Sequence, residues 1–211
     1  SDVYKRQEFG INHFCAIAVN PREANNEKMS KEAMENIQRY LERDNVVALG
    51  EIGFDDITSQ EEDILKQQLI LGNELGCPII VHTPHINKLE GTKRTFEIIE
   101  ETGVDQTRII VDHNTEETIE LSKSYEVFSG ITVYPDTKLN PIRAVNIIKK
   151  YGIENILINS SADWGKSDPL SVPKTALYME NEGFSENEIE KLLYNNPESF
   201  LKKSRNYKIS N

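Results

Sequence analysis

The chain has 211 residues, 24 of them Lys or Arg and 35 Asp or Glu, for a formal charge of −11 with 37% hydrophobic content. That length favours one domain with a sizeable core and no need of disulfide staples, and no apolar run approaches the roughly 18–20 residues of a membrane helix. The acidic balance argues against a protein that grips nucleic acid through clustered cations, although a nucleic acid or another phosphoester remains admissible as a substrate where bound metal supplies positive charge.

Residues 1–7, SDVYKRQ, resemble a translated sequencing-library adapter and are expected to be non-native, leaving 8–211 as a single domain. The following GINHFCAIAVNP reads like the middle of a domain, so an N-terminal portion is expected to be missing. The run HFCAIAVN, with His13 as a structural residue before it turns apolar, predicts the first strand, and a helix follows over 31–43. VVALGEIG predicts the second strand and carries Glu51 near its end. The next helix, over 59–75, is expected to start with a Ser59/Glu62 capping box, to bury Leu65, Leu69 and Leu75 beside Gly72, and to stop at Gly76 and Pro78. PIIVHT ends in His82, and His85 and Lys88 come soon after, ahead of a helix over 92–102. RIIVDH ends in Asp112 and His113, with Asn114 next and a helix over 116–124. EVFSGITV leads to Lys138 and a helix over 141–151. ILINSSA leads to Asp163 and Trp164, the latter expected in core or lid packing, and two helices close the chain over 172–182 and 186–194. Cys15 and Cys77 fall in apolar runs and read as free thiols in a reducing, cytoplasmic setting.

Strands that are nearly continuous in Val, Ile, Leu and Ala, alternating with helices, predict an α/β protein with a parallel sheet buried on both faces. Neither GxGxxG nor GxxxxGK[ST] occurs, which removes the usual phosphate turns of doubly wound folds. The conspicuous polar residues sit instead at the C-terminal ends of successive strands, where a (β/α)8 TIM barrel builds its active site. Glu51, His82 and His113 follow one another at intervals of 31 residues, room for one β-α unit each. Six units predict an incomplete barrel whose first two strands are missing, and such a barrel, with two exposed parallel edges, is expected to be poorly soluble, oligomeric or unstable.

One carboxylate and two imidazoles at one barrel mouth are suitable ligands for one or two divalent ions: Zn²⁺, Mn²⁺ or Ni²⁺ by donor type, Mg²⁺ if oxygen and water dominate. Such an ion lowers the pKa of its water to about 7 and polarises a carbonyl or phosphoryl oxygen. A nearby carboxylate then takes the proton, and Asp163 is the candidate base and further ligand. His85, Lys88 and Lys138 are candidate substrate contacts, the lysines for negative charge. Asp112 and Asn114 are candidates for orienting a ligand ring.

At these residues the sequence resembles the TatD-related metal-dependent hydrolases of the amidohydrolase superfamily. VVALGEIGFD is similar to that family's GEIGLD strand, and PIIVHTP and RIIVDHNT are similar to its two His-bearing strands, the likeness running from Phe14 to Leu201. VHTPHINK, VDHNTEETIE, GITVYPDTKL and NSSADWGKSDPLSVPKTA further resemble a divergent subgroup of TIM-barrel hydrolases. The resemblance implies metal binding by Glu51, His82 and His113, and hydrolysis of a phosphoester or an amide or ester bond, with a phosphodiester as the family-level expectation. Two departures stand out. The family's HxH pair is absent from the sequence, and ILINSSAD replaces its ETD motif, placing Ser161 at the aligned position with Asp163 two residues on. The rival expectations are a metal-dependent isomerase or lyase on the same barrel, and a non-catalytic metal-binding protein.

Overall fold

A computed structural model of the protein describes residues 12–135, 137–160 and 166–209. Six parallel strands pair in the order in which the chain makes them: β1 (Cys15–Ile17), β2 (Val46–Gly53), β3 (Ile79–His82), β4 (Ile109–Val111), β5 (Phe128–Thr132) and β6 (Ile156–Asn159). Between them run helices α1 (Pro21–Ala24), α2 (Glu27–Leu41), α3 (Ser59–Glu74), α4 (Lys88–Thr102), α5 (Ile119–Ser122) and α6 (Pro141–Tyr151), and α7 (Ser171–Asn181), α8 (Glu186–Glu190) and α9 (Asn196–Leu201) follow β6. Consecutive strand order with helical crossovers is the arrangement of an incomplete (β/α)8 barrel, as expected from the alternating pattern.

The strands are apolar on both faces, and the two faces have different partners. Leu49, Ile79, Val81, Ile109 and Val111 pack against Leu65 and Leu69 of α3 and Phe96 and Ile99 of α4. Ile131, Ile156 and Ile158 join Val145 and Ile148 of α6 and Met179 of α7. The intervening residues Ile110, Phe128 and Leu157 face the other way and meet Phe200 of α9. The Phe128 and Phe200 rings stand edge to face at 5.6 Å. The last helix thus leaves the outer layer and covers the concave face of the sheet. Asn196, at its start, donates to the carbonyls of Ile153 and Ile156 at 2.8 and 2.6 Å and anchors the helix beneath β6.

Local departures from the expected elements have local causes. The capping box of α3 is Thr58/Glu61, one residue before Ser59/Glu62. Glu61 also takes the backbone N–H groups of Asp55, Asp56 and Ile57, whereas Glu62 is drawn outward to Arg94 and Lys66. The helix expected over 116–124 shrinks to α5, because Thr118 donates to Asn114 Oδ1 and accepts from Thr115 N–H, and so holds the preceding residues in a turn. The helix expected over 186–194 is α8 followed by a π-helical turn, Lys191–Asn195. Both cysteines are free thiols.

Phe200 is 1% exposed and is the main contribution of α9 to the concave face. Phe200→Ala is expected to cost about 3–5 kcal/mol of stability. Urea unfolding of the two proteins measures it, and a loss below about 1 kcal/mol would contradict the packing role assigned to α9.

Candidate metal centre

Two of the three conspicuous polar residues owe their positions to a local departure from regular strand geometry. Gly50 pairs with Ile80 and Ile52 with Val81, so Glu51 is the extra residue of a bulge in β2 and its side chain is re-aimed toward the strand ends. A Cβ at Gly50 would lie 2.6 Å from the Cβ of Ile80, so only glycine permits this approach of β2 to β3. His82 is the last residue of β3. His113 lies two residues past β4 with φ of 63°, a left-handed conformation unusual for a residue with a side chain. It is secured on both sides: its own N–H donates to Asp112 Oδ1 at 2.6 Å, and the N–H of Asn114 donates to the Gly130 carbonyl at 3.0 Å.

The three side chains converge. His113 Nε2 lies 3.2 Å from Glu51 Oε1, His82 Nδ1 lies 4.0 Å from Glu51 Oε2, and the two imidazoles meet edge to face at 4.8 Å. One donor atom from each residue lies within 4.8 Å of the others. His113 Nδ1 is taken by Thr132 Oγ1 at 2.6 Å. His113 Nε2 is buried and, despite its closeness to Glu51, makes no hydrogen bond among the described residues. A buried ring nitrogen without a hydrogen bond, facing a carboxylate and a second imidazole, fits a divalent cation held by Glu51, His82 and His113. If Nε2 is the ligand atom, Nδ1 carries the ring proton and donates to Thr132, whose hydroxyl donates in turn to Asp112 Oδ1 at 3.2 Å.

Electrostatics favour a neutral His82 ring and an ionised Glu51 carboxylate. Burial, helped by neighbouring His113 and the Lys138 and Lys88 cations, pushes the His82 pKa down to about 3, so its ring is neutral at ordinary pH. Burial opposes ionisation of Glu51, but the His113 imidazole outweighs it and the carboxyl titrates below its usual range. Burial likewise opposes ionisation of Asp112, and the His113 ring and backbone N–H overcome it. Asp112 Oδ2 also accepts from Asn159 Nδ2 at 2.9 Å.

The centre opens into a cavity of about 550 Å³. His85 and Lys138 line it with the three ligands, the His85 ring 6.0 Å from that of His82. Lys88 is placed differently from the other candidates. Its ammonium is turned onto Thr83 Oγ1 at 2.9 Å and the Pro84 carbonyl at 3.3 Å, and it is not among the cavity-lining residues. Asn114 spends its amide on the Val111 and Gly130 carbonyls rather than on the His113 ring, which Asp112 reaches through Thr132. Asp163, Ser161 and Trp164 lie outside the described residues. Sequence reasoning missed Thr132 and Asn159, although both stand at the C-terminal ends of strands, the signal that singled out His82. It also missed Arg22, which lines the cavity and approaches Asp55 at 3.3 Å.

Asp112→Asn is expected to weaken metal binding about 10–100-fold through the orientation of His113. Metal titration alongside Glu51→Gln, His82→Ala and His113→Ala, each expected to lose bound metal, checks it. An Asp112→Asn affinity equal to the parent's would remove the orienting role. Lys88 gives a pH signature. Burial, with Lys138 nearby, lowers its pKa from 10.5 to about 8 in the folded state. The unfolded chain therefore binds more protons between those values, and stability rises with pH across that window by up to about 3 kcal/mol. Lys88→Met should abolish this rise in urea unfolding at pH 8 and 10.5, and an unchanged slope would show that the ammonium is not desolvated.

Comparisons with known proteins identify the family. The family model for TatD related DNase matches residues 3–202. An uncharacterized metal-dependent hydrolase of Methanocaldococcus jannaschii is 33% identical over 203 residues, spanning 95% of this chain and 78% of the relative. The crystal structure of a TatD-like protein from Archaeoglobus fulgidus superposes with a TM-score of 0.71 at 27% identity, covering 95% of this chain and 81% of that one. The phosphotriesterase homology protein of Escherichia coli, solved with phosphate in its active site, shares the fold with a TM-score of 0.72 at 16% identity, covering 95% and 78%. The chain belongs to the TatD-related family of metal-dependent hydrolases.

Proposed function

We propose that the protein hydrolyses a phosphodiester, with Glu51, His82 and His113 holding one or two divalent ions. The observation that carries this is the buried His113 Nε2, without a hydrogen bond and facing Glu51 beside His82. Two imidazoles and a carboxylate favour Zn²⁺ or Mn²⁺ over Mg²⁺. When bound, such an ion polarises the phosphoryl oxygen and makes water acidic enough to attack near neutral pH. The protein's own groups do the rest. Glu51 and His82 stay in their ligating forms because of the shifts described above, and Thr132 with Asp112 fixes the tautomer of His113. Asp163 accepts the proton of the attacking water. Lys138, lining the cavity, steadies negative charge on the substrate, and His85 contacts it from the cavity rim. Lys88 acts indirectly, by holding Thr83, whose hydroxyl donates to the Asp112 carbonyl at 2.7 Å.

Support for a phosphodiester, whether a nucleic acid or a small molecule, comes from the DNase description of the family, with Lys138 and Arg22 among the cavity-lining residues as cations for a phosphoryl group. Free Cys15 and Cys77 suit a reducing, cytoplasmic setting. The test is hydrolysis of bis(p-nitrophenyl) phosphate and of DNA by protein supplied with Zn²⁺, Mn²⁺ or Mg²⁺. Turnover is expected to vanish with a chelator, and Asp163→Asn to lower kcat by about a hundredfold to ten-thousandfold. Undiminished turnover in Asp163→Asn would reassign the proton acceptor, and turnover indifferent to metal would overturn the proposal.

A further inference from the structure

Tyr134 stands two residues beyond Thr132, on the segment that leaves β5. Thr132 and Tyr134 both line the cavity, while Val133 between them is buried on the helix-covered side of the sheet. The backbone here is tied down. Val133 N–H donates to the Asn159 carbonyl at 2.9 Å, Tyr134 N–H to the Leu139 carbonyl at 2.9 Å, and Leu139 N–H to the Thr132 carbonyl at 3.3 Å. These bonds bring the backbones of Thr132 and Tyr134 alongside Leu139, the neighbour of Lys138.

The phenol is 4% exposed, and its hydroxyl has no hydrogen-bond partner. Burying a hydroxyl without a partner forfeits its bonds to water, and the large majority of buried polar side-chain atoms avoid that loss. Tyr134 and His113 are the two residues that show such an atom among the described residues, and both residues line the same cavity. The His113 nitrogen is accounted for by a cation. The Tyr134 hydroxyl can donate or accept, and an acceptor that also suits the nearby Lys138 ammonium would complete it. Lys138 lines the same wall, half-buried, with its ammonium making no hydrogen bond among the described residues. One O–H group and one ammonium in a cavity also lined by residues that suit a cation make a receptor for an anionic oxygen.

We infer that Tyr134 and Lys138 form a subsite for a phosphoryl oxygen, with the Tyr134 hydroxyl donating directly to the substrate, an assignment that rests on the phosphodiester reading above. Tyr134 is then a catalytic residue in the strict sense of touching the substrate. Because its hydroxyl has no bond among the described residues, removing it should leave the fold intact and be felt in ligand affinity.

The test compares the metal-loaded protein with Tyr134→Phe, using inorganic phosphate as the probe in isothermal titration, with metal content and melting temperature measured on the same samples. The expected result is unchanged metal content, an unchanged or higher melting temperature, and phosphate binding weakened about tenfold to a hundredfold. Lys138→Met should weaken phosphate binding in the same direction. Phosphate affinity of Tyr134→Phe within about twofold of the parent, while the parent still hydrolyses a diester, would overturn the Tyr134 assignment and leave the hydrolase reading standing. A lower melting temperature with unaltered phosphate affinity would assign the hydroxyl to the fold and overturn it as well. A metal-loaded parent that neither binds phosphate nor cleaves a diester would overturn both.

Discussion

The mouth of this barrel is organised around one buried carboxylate. Asp112, 4% exposed, takes the N–H of His113 and the hydroxyl of Thr132 on one oxygen and the amide of Asn159 on the other, while its own carbonyl receives Thr83. These contacts join the ends of β3, β4, β5 and β6. A buried charge is tolerated only when its lone pairs are filled, so the same bonds that keep Asp112 ionised hold the strand ends in register. Gly130 is part of this arrangement, since a Cβ there would come within 2.2 Å of Asp112 Oδ1.

Two of the three candidate metal ligands sit where regular structure has been given up. Glu51 occupies a bulge and His113 a left-handed backbone, and neither conformation serves the sheet. Both serve convergence: a regular strand would alternate Glu51 with its neighbours, and an extended His113 would continue along β4. Unfavourable backbone states of this kind persist when surrounding bonds over-determine them, and they concentrate at functional sites. Here the determining bonds run through Asp112, Asn114 and Gly130, which makes the backbone of one histidine depend on two neighbouring strands.

Net charge does not say where individual charges sit in this protein. The chain carries −11 overall, and the cavity lining combines the cations Lys138 and Arg22 with the carboxylates Glu51, Asp55 and Asp112. Burial lowers the pKa of Lys138, and the nearby Asp112 and Glu51 carboxylates pull it back up, so the cation is held close to acids without being locked onto them. A low-dielectric wall strengthens the attraction of such a cation for an incoming anion, an effect that whole-chain charge does not report.

The alternation of apolar runs with helical segments was legible without coordinates, because parallel strands are buried on both faces and their composition says so. So was the triad, since Glu51, His82 and His113 recur at one β-α interval and barrels gather function at strand ends. Near neighbours in sequence were harder to place. The capping box fell one residue away, on Thr58 and Glu61, because Glu62 has a better partner in Arg94 on another helix. Lys88 and Asn114 had the composition of substrate and ligand contacts but are occupied by local carbonyls and hydroxyls. The sequence by itself determined the architecture and the identity of the converging side chains, both of which follow from periodicity and residue type. Only the tertiary structure decided the support for His113 by Thr132 and Asp112, the cover provided by Phe200, and the unpaired hydroxyl of Tyr134. Each depends on distances between atoms from different strands or on the opposite face of the sheet, and no local pattern of residues encodes such distances.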